Sequence, residues 1–261
     1  MDQALIPIND IITTGWKFYQ KNYLKFLKPL GILILPYVFF YSLNFLLQSY
    51  TGALINLSMF VFFLFCLFIE FWMMIYMIKL ADSLMKNQTL DETKLFSTAL
   101  NKIPSFIWIT ILTALITIGG TILFIVPGIF WGIWYSYSLY VNILEEGNYK
   151  GMEALKASKK LVKRRAWDTY GRTLLPALFI ILPLYLSCGL IFLILFAAGL
   201  YSAWVFGIIY IIFLIAVLAL VPLFYSFQII VYNNLKETRN ITFPVETVAT
   251  QPVTPTQPAQ M

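Results

Sequence analysis

Six long apolar stretches constrain the fold of this chain more than any other feature. They cover residues 30–48, 53–78, 103–124, 128–144, 173–198 and 203–231. A helix needs about 20 mostly apolar residues to cross a bilayer core about 30 Å thick. Because 60% of the residues are hydrophobic and only 11% are charged, too few polar side chains exist to cover this apolar surface against water. The sequence therefore predicts an all-α, polytopic transmembrane helical bundle with six spans.

The fourth stretch is the shortest, and only the Pro127-Gly128 pair separates it from the third. Pro and Gly interrupt helices, so these two stretches should form a tight hairpin. Two alternatives remain open. The pair could be one span with a re-entrant segment, or Gly119-Gly120 and Pro127-Gly128 could break the helices to form a binding site of the transporter type.

All 18 Lys and Arg residues lie in four segments: before the first stretch, between the second and third, between the fourth and fifth, and after the sixth. The other three connections carry no charge. Cytoplasmic loops of membrane proteins hold the excess of Lys and Arg. The pattern therefore predicts that both termini face the cytoplasm.

Three of these cytoplasmic segments have amphipathic helical patterns. They are residues 1–28, residues near 89–102, where Thr89 and Glu92 match a capping box, and residues near 150–167. Amphipathic helices with basic faces lie in the membrane interface. The sequence thus predicts three cytoplasmic interfacial helices. Because each precedes two spans, it also suggests a threefold repeat of one helix plus two spans.

The segment near 150–167 carries the densest positive charge: Lys156, Lys159, Lys160, Lys163, Arg164 and Arg165. Its apolar positions Ala154, Leu155, Leu161 and Val162 face the other way. A basic face beside a membrane attracts anionic lipid at about 1 kcal/mol per charge. We expect these six residues to contact lipid head groups, with a protein or nucleotide-like partner as the alternative and no nucleic acid partner. Glu145, Glu146 and Glu153 should pair with them locally.

Glu70 is the one carboxylate well inside a predicted span. A charge there is costly, and it often marks a proton, ion or substrate path. The structural alternative is a protonated Glu that hydrogen-bonds across helices. The candidate polar neighbours are Gln228, Asn142, Arg172 and Tyr76.

No catalytic, cofactor or metal site is expected. The chain has no histidine, which excludes His-dependent triads, HExxH zinc sites and His relays. Cys66 and Cys188 lie in apolar stretches, where cysteine behaves as a small hydrophobe. The sequence predicts a protein without enzymatic activity, cofactor or metal.

A series of motifs runs through residues 124–183: Val126-Pro127-Gly128-Ile129, Leu144-Glu145, Gly151, Glu153-Ala154-Leu155, Ser158, Leu161-Val162-Lys163 and Trp167. This block resembles the membrane-domain family attached to some bacterial glycerophosphoryl diester phosphodiesterases. The resemblance implies a six-span fold in the bacterial inner (plasma) membrane. It implies no phosphodiesterase activity, which belongs to a separate soluble barrel domain in that family.

The chain is thus predicted to have three parts: an interfacial helix at 1–28, a membrane domain at 29–235, and a cytoplasmic tail at 236–261. The tail is rich in Pro, Thr and Gln and is predicted to be disordered. The expected function is that of a membrane scaffold or regulatory protein whose interfacial helices organise lipids and an unidentified protein partner. The alternative is a transporter or lipid-handling permease that uses Glu70 and the proline-broken spans.

Single cysteines test the predicted topology. A cysteine at Thr51, Gly120 or Ser202 should react with an impermeant thiol reagent added from the periplasmic side, because Thr51 and Ser202 lie in uncharged connections and Gly120 lies near the end of the third stretch that leads into the other one. Cysteines at Asn87 and Gly151 should react only after the membrane is permeabilised. Periplasmic labelling at Gly151 would contradict the six-span arrangement.

Overall fold

Helices account for the whole regular structure of the described residues, which are 4–47, 52–89, 91–145, 147, 149–199, 202–239, 241 and 243 of a computed structural model. In chain order they are α1 (Ile8–Leu47), α2 (Ala53–Met85), α3 (Glu92–Leu123), α4 (Ile125–Tyr135), α5 (Ser138–Leu144), α6 (Met152–Val162), α7 (Ala166–Ala197) and α8 (Ala203–Thr238). A 3-10 turn, Lys163–Arg165, joins α6 to α7. The prediction of an all-α fold is confirmed for these residues.

Four helical segments in the described ranges are long and apolar enough to cross a membrane: Asn56–Met85, Glu92–Leu123, Met152–Ala197 and Ile211–Thr238. These segments are compatible with a multi-pass membrane protein and overlap four of the six predicted spans. The first predicted span lies in α1 and ends at Gln48, outside the described residues. The fourth is divided between α4 and α5. The count of six spans remains a prediction.

Two of the three predicted interfacial helices are not separate elements. Residues 8–28 continue into the first predicted span as α1, a helix of 40 residues that passes through Pro29 and Pro36. Residues 92–102 likewise continue through Pro104 into the rest of α3. A proline in a helix removes one hydrogen bond and can bend the helix without ending it. The threefold repeat, which required three such helices, is not confirmed.

The start of α3 also differs from the capping box predicted at Thr89 and Glu92. The N-cap is Asp91, whose side chain accepts a hydrogen bond from the Lys94 backbone N–H at 3.2 Å. Aspartate caps a helix as well as serine or threonine does. Hydrogen bonds from the Thr93 hydroxyl and the Lys94 amide stabilise the carboxylate and hold the pKa of Asp91 below its usual value.

The buried core lies toward one end of the bundle. Among the described side chains, the last buried residue of α1 is Leu30 and the last one of α7 is Ala177. In α2 and α8, which run the other way, the first buried residues are Cys66 and Pro222. The helix ends that carry the Lys and Arg residues meet here, and we call this the basic end. The opposite halves of these four helices contain no buried described residue. Such surfaces suit a lipid environment, which solvates apolar side chains.

The predicted tail begins too early. Helix α8 continues to Thr238, and the backbone N–H of Ile241 then donates to the Lys236 carbonyl at 3.2 Å. Phe243 packs edge-on against Tyr149, with ring centroids 5.2 Å apart. The chain therefore folds back over the basic end after α8, whereas residues 244–261 lie outside the described part of the chain.

Helices α3 and α4 pack against each other directly after a turn at Phe124. Their close approach depends on Gly128. A Cβ at this position would lie 2.6 Å from the Thr121 backbone nitrogen and 2.7 Å from its Cα. Backbone atoms cannot move aside as a flexible side chain can, so a larger residue would force the two helices apart.

Replacing Gly128 with alanine tests this packing. We expect Gly128→Ala to lower the free energy of unfolding in detergent by about 1–3 kcal/mol, the usual cost of overpacking. The matched control is Gly132→Ala on the same helix, where the added Cβ meets Thr117 Cγ2 at an ordinary 3.5 Å. Equal stability of the two variants would refute the close contact.

Candidate functional site

Helix α6 and the 3-10 turn position the basic residues predicted to contact lipid. The predicted apolar face is confirmed, because Ala154, Leu155, Leu161 and Val162 are each at most 1% exposed. On the other side, Lys156, Lys160, Lys163 and Arg164 are exposed, and Lys159 and Arg165 are half-buried. The Lys159 ammonium lies 4.5 Å from the centroid of the Trp134 ring, in a cation–π contact.

Helix α6 packs against a break in the fourth predicted span. The helical run stops at Tyr135 and resumes at Ser138. Ser158 of α6 bridges this break: its hydroxyl donates to the Trp134 carbonyl at 2.7 Å and accepts from the Tyr137 backbone N–H at 3.2 Å. Because Ser158 is completely buried, it satisfies backbone groups that the break removes from the helical ladder. This contact seats α6 on the bundle.

A basic cleft lies between the end of α6 and the chain that follows α8. It has a volume of about 470 Å³, and it is lined by Lys160, Lys163, Arg164, Arg239 and Ile241. The guanidinium of Arg239 donates a hydrogen bond to the Lys160 carbonyl. Sequence analysis placed Arg239 on the cytoplasmic side but not beside α6. Its approach to α6 depends on how α8 packs, which no local pattern reveals.

Asn142 and Gln228, two of the predicted polar neighbours of Glu70, are both buried and serve different contacts. The Asn142 side chain accepts from the Ser105 hydroxyl at 3.2 Å and donates to the Tyr149 carbonyl at 2.8 Å. The Gln228 side chain accepts from the Tyr137 hydroxyl at 3.3 Å. These bonds join helices to one another, so both residues have a structural role here.

Glu70 itself is exposed on α2. Its carboxylate is close enough to Tyr225 of α8 to interact with it electrostatically. A second cleft lies around Lys102, and its lining includes Lys79, Lys86, Lys94, Asp82, Asp91 and Glu145. Glu70 lines neither the basic cleft nor this cleft around Lys102. Neither of these two clefts brings Glu70, Gln228 and Asn142 together.

Glu145 is the centre of a charged cluster that sequence analysis missed. Its carboxylate accepts from the Lys236 ammonium at 2.7 and 2.8 Å and from the Tyr232 hydroxyl at 2.7 Å. The Lys102 ammonium donates to the backbone carbonyls of Asn142 and Glu145, at the end of α5. The expected pairing of Glu145 with the α6 lysines is wrong, because α8 brings Lys236 closer. Glu153 is exposed, and Glu146 lies outside the described residues.

The comparisons give no relative for this arrangement. No family model, curated protein or solved structure matches the chain. The resemblance carried by residues 124–183 therefore stays a prediction. Within the described ranges, no group of three or more His, Cys, Asp or Glu side chains could hold a metal ion.

Removing the Tyr232 hydroxyl tests how much its hydrogen bond to Glu145 contributes to the free energy of unfolding. We expect Tyr232→Phe to lower the free energy of unfolding by about 1.5–3 kcal/mol, because the lost hydrogen bond goes to a charged acceptor. Tyr19→Phe is the matched control: its hydroxyl donates to the neutral Ala219 carbonyl at 2.9 Å, and its loss should cost about 1 kcal/mol. Unfolding in mixed detergent measures both. A smaller loss for Tyr232→Phe than for Tyr19→Phe would contradict the assignment.

Proposed function

We propose that this chain is a non-enzymatic scaffold or regulatory protein of the bacterial inner membrane, whose basic end contacts anionic lipid head groups. The observation that carries the proposal is the two-sided character of α6. Its apolar side is buried in the bundle, whereas Lys156 and Lys160 of α6 are exposed, as are Lys163 and Arg164 of the 3-10 turn that follows it. The protein thus presents a fixed basic surface next to apolar helices.

Aromatic side chains beside this surface support a position at the head-group level. Trp167 is the second residue of α7 and is 60% exposed, and Tyr170 is 39% exposed about one turn later. Trp and Tyr are enriched where a membrane protein meets the interface between lipid and water. Long Lys and Arg side chains reach from an apolar surface toward head groups.

The transport alternative needs a polar path to Glu70. The basic cleft and the cleft around Lys102 both lie at the basic end, and Glu70 lines neither. Asn142 and Gln228 are engaged in contacts between helices. These observations favour the scaffold proposal.

Anionic lipid should stabilise the protein if the proposal is right. In nanodiscs that contain phosphatidylglycerol, the unfolding temperature should be higher than in phosphatidylcholine alone, because a ligand that binds the folded state stabilises it. The combined variant Lys156→Gln, Lys160→Gln and Lys163→Gln should lose most of this difference, and added salt should reduce it.

The matched control removes three exposed lysines from α1, with the changes Lys17→Gln, Lys21→Gln and Lys25→Gln. It should keep most of the lipid-dependent stabilisation. No difference between the two lipids for the unmodified protein would refute the proposal. Glu70→Gln distinguishes transport from the scaffold role. A folded variant that lost its cellular phenotype would favour transport, because an amide cannot titrate.

A further inference from the structure

A groove with a volume of about 410 Å³ lies between α1, α2 and α3, where α1 enters the first predicted span. Apolar side chains in its lining come from Pro29, Ile32, Met73, Phe96 and Leu100. Lys28 and Glu92 also line the groove, and their side chains form an ion pair. The groove therefore combines an apolar surface with a charge of each sign.

The face of α1 that carries Lys28 continues beyond the groove. Ile32, Leu35 and Phe39 follow Lys28 at spacings of four, three and four residues, so all four side chains share one face of the helix. Leu35 is 68% exposed and Phe39 is 58% exposed. A molecule whose charged end lies at Lys28 can therefore extend its apolar part along this face, as a phospholipid does.

Helix α3 supplies a second wall that runs in the same direction. Glu92, Phe96 and Leu100 are each four residues apart, so they follow one face as the helix leaves the basic end. The Phe96 ring packs edge-on against Trp72 of α2, with centroids 3.9 Å apart, and this contact holds the wall in place. Both walls carry their charge at the same end, where Glu92 meets Lys28.

The ion pair between Lys28 and Glu92 can be exchanged for contacts with a ligand at little cost. The two side chains are 66% and 60% exposed, and an ion pair in contact with water contributes little to stability. A ligand that carries both charges gives each side chain a new partner of opposite sign. A ligand with only a negative charge takes Lys28 away from Glu92 and is repelled by the Glu92 carboxylate.

We propose that this groove binds a phospholipid whose head group carries a primary ammonium next to its phosphate, as in phosphatidylethanolamine. The Lys28 ammonium contacts the phosphate, the Glu92 carboxylate accepts hydrogen bonds from the lipid ammonium, and an acyl chain lies along Ile32 toward Leu35. Hydrogen bonds between charged groups are stronger than those between neutral ones. A choline head group cannot donate one, because its nitrogen carries no hydrogen. The site is separate from the basic surface of α6 and independent of the proposed contact with anionic lipid.

Native mass spectrometry of the full chain in neutral detergent tests the site, with one lipid titrated at a time. We expect phosphatidylethanolamine to bind about tenfold more tightly than phosphatidylcholine with the same acyl chains, as expected for one charge-assisted hydrogen bond. Glu92→Gln should lower the affinity for phosphatidylethanolamine about tenfold and change that for phosphatidylcholine much less. Glu153→Gln is the matched control. It removes an exposed carboxylate outside the groove and should leave the preference unchanged.

A second variant fills the groove without changing its charges. Leu100 is 38% exposed and lines the groove, so the larger ring of Leu100→Trp should occupy the space of the acyl chain. Its affinity for phosphatidylethanolamine should fall to that for phosphatidylcholine. Leu115→Trp is the matched control on the same helix, because Leu115 is 63% exposed and lies outside the groove. This control should keep the preference.

Equal affinity of the unmodified protein for the two lipids would overturn the inference, as would a preference that persists in Glu92→Gln or in a folded Leu100→Trp. An equal loss for both lipids in Glu92→Gln would also overturn it, because a purely structural ion pair predicts that result. If Leu100→Trp does not fold, Glu92→Gln decides the question. More ready displacement of bound phosphatidylethanolamine by phosphatidylglycerol than by phosphatidylethanolamine itself would assign the groove to an anionic lipid instead.

The triple variant of the basic surface distinguishes this site from the proposed function. The combined changes Lys156→Gln, Lys160→Gln and Lys163→Gln should remove the stabilisation by phosphatidylglycerol and keep the preference for phosphatidylethanolamine over phosphatidylcholine. Loss of that preference in the triple variant would contradict a separate site between α1 and α3.

Discussion

In an apolar environment every backbone N–H and C=O group has to find its hydrogen-bond partner inside the protein. At the interruption between α4 and α5, Ser158 donates to the Trp134 carbonyl and accepts from the Tyr137 amide. These two hydrogen bonds, together with the buried apolar side of the helix, hold α6 against the bundle. Once the Ser158 side of the helix is buried, Lys160 and Lys163 must lie on the opposite side. The position of the basic surface is thus linked to the hydrogen bonds that Ser158 makes with the Trp134 carbonyl and the Tyr137 amide.

Charges at the basic end have two different roles. Glu145 with Lys236 and Tyr232, and Lys102 with the carbonyls at the end of α5, form connections between helices. Their geometry allows the charges to be partly buried, because each has a partner of opposite sign or a polar acceptor. By contrast, Lys156 and Lys160 of α6 and Lys163 and Arg164 of the 3-10 turn have exposed side chains. Lys160, Lys163, Arg164 and Arg239 line the basic cleft.

The accuracy of the sequence analysis depended on the range of each interaction. The apolar face of α6 was predicted correctly, because residues three and four apart on one helix share a face. The segments 8–28 and 92–102 are helical, as predicted, but they are not separate elements, because an amphipathic pattern and an apolar stretch can follow each other on one continuous helix. The predicted partner of Glu145 was wrong. The α6 lysines are nearer in the sequence, whereas Lys236 is 91 residues away and is brought close by α8.

The sequence by itself determined the all-helical class and the apolar segments that four long helices contain. It also determined that the basic residues lie in four segments outside the apolar stretches. These properties depend on composition and on local periodicity, which act within one helix. Only the tertiary structure decided that α6 occupies a break in another helix, that Glu145 meets Lys236, and that Arg239 completes the basic cleft. Each of these contacts joins segments that are far apart in the chain. The packing of α5, α6 and α8 sets their distances, and no local sequence pattern encodes it.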